Sequence, residues 1–92
     1  MTDVRVHVFV SGYVQGVFFR QKTKQMAESR GVKGRVCNLD DGRVEAIFEG
    51  EEKAVQALVN FCRTGPLGAL VTDVKVSYEA FLGEFRNFQV TY

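Results

Sequence analysis

The chain has 92 residues, 46% hydrophobic and 25% charged, the length and composition of one globular domain spanning residues 1–92. Twelve Lys and Arg against eleven Asp and Glu leave a net charge of +1, which argues against a protein built to coat nucleic acid or an anionic membrane. No apolar run reaches the roughly 18 residues of a membrane span, and the opening Met-Thr-Asp-Val-Arg lacks the apolar core of a signal peptide, so a cytoplasmic protein is expected.

Val4, Val6, Val8 and Val10 alternate with Arg5, His7, Phe9 and Ser11, the period of a strand, and the alternation stops at Ser11-Gly12. From Phe19 the period changes. Phe19, Thr23, Met26 and Ala27 share one face of a helix that ends near Arg30-Gly31. A second strand is expected over residues 32–39, then a tight turn at Asp40-Asp41-Gly42, then a third strand over residues 43–49. Glu51-Glu52 open a second helix with the charge that suits its positive end. Ala54-Val55, Leu58-Val59 and Phe61-Cys62 form its buried stripe, and Gly65-Pro66 stop it. Val74, Val76 and Tyr78 mark a fourth strand, and Phe88, Val90 and Tyr92 a short fifth, expected at a sheet edge.

This order is βαββαβ plus a terminal strand. It predicts an α+β, ferredoxin-like split βαβ sandwich, with two helices on one face of a mainly antiparallel sheet. Strands one and two then run parallel with strand three between them. The other face should carry Arg5, His7, Phe9, Glu45, Ile47 and Glu49, with His7 a solvated sheet residue. Cys37 and Cys62 sit in apolar patterns and read as core or near-core residues; with one histidine and no paired cysteines, no zinc site is expected.

The link from strand one to the first helix carries Gly12 and Gly16 and ends in Phe18-Phe19-Arg20. Because strands one and two are parallel, Asn38 faces the same rim as this loop, two strand spacings or about 10 Å away. A glycine-bearing loop feeding a helix N-terminus offers free N–H groups and a favourable dipole to an anion. Arg20, in the first turn, could share the same oxyanions. The plainer reading is a loop that turns a corner with Arg20 solvated, and the residues alone leave both open.

"GYVQGVFFR" (residues 12–20) and "GRVCNLDDGRVE" (residues 34–45) resemble the two signature segments of the acylphosphatase family. "GPLGALVTDVKV" and the ending "FQVTY" are similar to that family too, so the resemblance covers nearly the whole chain. The first segment agrees at every fixed position; the second departs at Arg35, where the family usually has an aromatic. The resemblance implies hydrolysis of the carboxyl–phosphate bond of small acyl phosphates, with no metal and no cofactor. Carried over by residue, it implies that Arg20 and the backbone amides of Gln15, Gly16, Val17, Phe18 and Phe19 bind the phosphoryl group, and that Asn38 orients the attacking water. Asp40 and Asp41 read first as turn residues.

Other readings of the same fold are an RNA-binding or regulatory module and a domain that handles carbamoyl phosphate. RNA recognition on a sheet uses exposed aromatics and basic flanks. Here Phe9 is the aromatic available, and Glu45 and Glu49 flank it. A free-standing hydrolase is favoured over a carbamoyl-transfer domain at this length. With no apolar stripe left over, a monomer is expected.

Overall fold

In a computed structural model, which describes residues 2–91, β1 (Asp3–Tyr13), α1 (Phe19–Ser29), β2 (Lys33–Asn38), β3 (Val44–Glu51), α2 (Glu52–Thr64), β4 (Leu70–Glu79) and β5 (Phe88–Thr91) follow in order. The strands form one sheet in the order β4-β1-β3-β2-β5. β3 is antiparallel to both β1 and β2, so those two run parallel on either side of it. β5 lies at the outer edge, parallel to β2. Tyr92, expected in this strand, falls outside the described residues.

The alternating valines bury one face of the sheet. Val6, Val8 and Val10 of β1 and Val44, Ala46 and Phe48 of β3 are fully buried in one cluster with Val36. α2 presents Val55, Leu58, Val59 and Cys62 to them at i, i+3, i+4 and i+7, and α1 presents Phe19, Thr23 and Ala27. Fully burying a side chain of this size contributes about 1.5–3 kcal/mol. Thr23 is tolerated there because its hydroxyl donates to the Phe19 carbonyl at 2.7 Å. Cys62 belongs to this core, and burial pushes its thiol up to about 12, so it is inert near neutrality. Cys37 is buried on the other face, where its Sγ lies 3.5 Å from Glu45 Oε1.

Several element boundaries differ from the sequence reading. β1 does not stop at Ser11-Gly12 but continues to Tyr13 through a shift of register against β4. Gly12 permits this: its φ is +123°, and a Cβ there would collide with the Leu70 carbonyl. β4 accordingly starts at Leu70, ahead of Val74. Glu51 ends β3 and caps α2 rather than opening it, its Oε2 accepting the Ala54 N–H at 3.1 Å. The turn at Asp40-Asp41-Gly42 forms as expected, with Gly42 at φ +95° and Asp41 accepting from the backbone N–H and Nε of Arg43.

The face opposite the helices is less open than its alternating charges suggest. Residues 80–85, between β4 and β5, fold across one end of it. Glu49 Oε2 accepts the N–H groups of Leu82 and Gly83 at 2.9 and 3.2 Å. Arg5 donates to Glu49 (3.1 Å), Glu79 (3.0 Å) and Glu84 (2.7 Å), and its guanidinium lies 5.5 Å from the Phe85 ring centre. Arg5 and Glu49 are therefore buried. His7 is not a simple solvated residue either: it is half-buried between Glu45 (2.7 Å) and Glu79 (3.3 Å). Phe9 is covered by His7 and by Arg43, whose guanidinium is 4.8 Å from its ring centre, so it offers no bare stacking surface.

Burial raises the Glu49 carboxyl, but the two amides and Arg5 outweigh it and hold Glu49 below the ordinary range. Burial likewise opposes, and His7 and Arg35 overcome it at, Glu45. Both folded values lie under the unfolded value of about 4.3. Their stabilisation is thus present above that pH and is lost as the pH falls through the lower folded values. Glu49→Ala is expected to cost about 3 kcal/mol at pH 7, because it strips a buried partner from Arg5. It should also flatten the loss of stability in acid. Urea unfolding at pH 7 and pH 3 measures both effects, and a variant with the parent's pH dependence would contradict the assignment.

Candidate active site

The end of β1, residues 14–18, the first turn of α1 and the end of β2 surround a cavity of about 160 Å3. Val14, Gly16, Phe18, Phe19, Arg20, Gln21 and Asn38 line it. Val14 is buried and fixes the start of the loop to the core. Gln15 fixes its middle: its side-chain amide donates to the Leu39 carbonyl at 2.8 Å and the Arg43 carbonyl at 3.0 Å, clasping the loop to the turn between β2 and β3. Gly16 has φ +76°, and a Cβ built there would touch nothing, so its glycine serves the backbone conformation and leaves the approach clear.

Phe18 is the N-cap of α1 and adopts the left-handed conformation, φ 60° and ψ 25°, which costs a non-glycine residue roughly 1–2 kcal/mol. Among the described residues no side chain caps the helix, and its first turn carries no acidic residue. The helix ladder begins with the Lys22 N–H donating to the Phe18 carbonyl at 3.0 Å, so the amides of Phe19 and Gln21 precede any intrahelical acceptor. Arg20 adds a guanidinium to this positive end. Anions are the complement of such a site.

Asn38 closes the cavity from β2. It pairs with Val44 and shares the helix-facing side of its strand with Val36. Its Oδ1 is buried without a hydrogen-bond partner among the described residues. Leaving such an acceptor unmet costs about 1–3 kcal/mol, so the site carries an acceptor that a water could satisfy. Arg35 points to the opposite face, donating to Glu45 Oε1 at 3.3 Å, so the departure from the usual aromatic lies away from the cavity.

Of the residues singled out in the sequence, Gly16, Phe18, Phe19, Arg20 and Asn38 meet at the cavity. Gln15 and Val17 are not among its lining residues. Val14 and Gln21 join the lining without having been singled out. Val14 carried a signal, an apolar residue inside an otherwise polar stretch, whereas Gln21 carried none.

The acylphosphatase family model matches residues 6–90. The chain belongs to the acylphosphatase family. It is 61% identical over 77 residues to an acylphosphatase of Haloquadratum walsbyi, covering 84% of this chain and 83% of that one. Over 91 residues it is 48% identical to an acylphosphatase of Pyrobaculum aerophilum, covering 98% and 96%. The crystal structure of the Bacillus subtilis acylphosphatase superposes with a TM-score of 0.92 at 37% identity, over 97% of this chain and 99% of that one. The ferredoxin-like arrangement expected from the order of elements is thus the fold of the family. No helix among the described residues is long and apolar enough to cross a membrane.

Proposed function

We propose that the chain hydrolyses the carboxyl–phosphate bond of acyl phosphates, releasing a carboxylate and inorganic phosphate. The observation that carries this reading is the uncapped N-terminus of α1, with Arg20 in its first turn, facing the unmet Oδ1 of Asn38 across one cavity. The backbone amides of Gln15, Gly16, Val17, Phe18 and Phe19, with the Arg20 guanidinium, donate to the phosphoryl oxygens. Asn38 accepts a hydrogen bond from a water and aims it at phosphorus. The water oxygen forms the new bond to phosphorus, and the bond to the acyl oxygen breaks. The carboxylate leaves with that electron pair, and the water's proton passes to a phosphoryl oxygen of the substrate.

An acyl phosphate is a mixed anhydride with a good leaving group, so positioning and charge stabilisation are what the protein must supply. An amide such as Asn38 has no useful basicity but can orient a water. The reading assigns no step to a metal, and it places the protein in the cytoplasm as a monomer acting on a small molecule. Purified protein should turn over benzoyl phosphate equally with and without chelator. Inorganic phosphate on the order of tens of millimolar, the weak affinity of a single small anion, should inhibit competitively. Absence of turnover would overturn the activity, and absence of inhibition would overturn the anion cradle.

A further inference from the structure

The cavity holds about 160 Å3, well under the roughly 300–1,000 Å3 of sites that enclose a whole small molecule. A phosphoryl group and its water occupy that space, and the acyl part of the substrate has to lie at the mouth. Phe18 stands there: it lines the cavity and is nevertheless 71% exposed. We propose that the Phe18 ring is the platform on which the acyl group lies, and that the site selects acyl phosphates whose acyl group is apolar, aromatic ones above all. This rests on the acyl phosphate hydrolysis proposed above.

Local structure gives no reason for phenylalanine at this position. Phe18 is the non-glycine residue with positive φ among the described residues, it occupies an N-cap that its side chain cannot cap, and it exposes a large apolar ring. Asparagine would suit the first and last of these conditions better, since it tolerates the left-handed region and is polar. Set against those three costs, what the position gains is the ring at the cavity mouth. Tyr13 and Leu70, cross-strand partners that are 60% and 70% exposed, extend apolar surface at the same end of the sheet, next to Val14 of the lining. Among the described residues that line the cavity, Arg20 alone is charged. With Arg20 assigned to the phosphoryl group, a charged acyl group finds no complement there.

The test compares kcat/KM for benzoyl phosphate and acetyl phosphate in the parent and in Phe18→Gly. Glycine accepts the left-handed backbone, so the fold and the loop geometry persist while the ring is lost. The ratio of benzoyl to acetyl phosphate should fall about tenfold, the size of one lost aromatic contact. Taking the ratio within each protein removes any loss common to both substrates, and comparing it between parent and variant removes the differing reactivity of the two leaving groups. A ratio that stays where it was, with both substrates falling together or neither falling, would overturn the platform. If the parent turned over neither compound, the hydrolase reading itself would fail, which is a separate outcome.

Discussion

Arg20→Ala should lower kcat/KM for benzoyl phosphate by roughly 10³-fold, the upper end of what removing one charge-stabilising donor costs. It should weaken inhibition by phosphate at the same time. Arg20 lies in the first turn of α1, where a cation is mildly disfavoured by the helix dipole. In the proposed assignment an anion in the site offsets this, because guanidinium and amides then donate to the same oxygens. If those bonds form in the bound substrate and strengthen as charge redistributes, as proposed, KM and kcat should both suffer. Arg20→Lys should recover little, since lysine keeps the charge and loses the planar fork. Steady-state kinetics with phosphate as inhibitor separates the two effects. A variant that turns over slowly while binding phosphate as tightly as the parent would show that Arg20 does not hold the phosphoryl group.

Asn38→Ala should behave differently. Turnover should fall by roughly 10²-fold, the scale for a positioned polar group acting on the transition state. Inhibition by phosphate should persist, because the proposed role puts Asn38 on the water and hardly on the substrate. The same change should leave the protein as stable as before or up to about 1 kcal/mol more stable, since it deletes a buried acceptor that lacks a partner. Activity and stability moving in opposite directions would mark a residue kept for chemistry. Asn38→Asp sharpens the assignment: it is nearly isosteric and a better base, but brings a negative charge towards a phosphate. If Asn38 orients water, Asp should be as poor as Ala or poorer. An active Asp variant would mean that the site lacks only a base, and would contradict the role given to the amide.

The parts of this fold that were legible in the sequence are those with a local period. Alternating valines marked β1, a 3–4 spacing marked the buried face of α2, and Asp-Gly marked the turn before β3. The rim that joins Asn38 to the 14–18 loop followed from the parallel relation of β1 and β2 alone. What escaped had no period. Arg5 and Glu79 meet across 74 residues of sequence, and the segment that buries Arg5 and Glu49 shows neither strand nor helix spacing, so the alternation puts both on the face opposite the helices without showing that they are covered. The continuation of β1 past Gly12 depends on close approach of the β4 backbone, which a glycine permits but does not announce. Gln15 belonged to a recognisable signature, yet its side chain's grip on Leu39 and Arg43 requires the turn to be in place first.

Hydrolysis of benzoyl phosphate in water enriched in oxygen-18, with the products analysed by mass spectrometry, tests the central claim most directly. Water aimed by Asn38 at a phosphorus held by Arg20 and the loop amides places the label in inorganic phosphate and leaves benzoate unlabelled. Label in the benzoate would mean attack at the carbonyl carbon, and it would contradict the assignment of this cavity as a phosphoryl-transfer site.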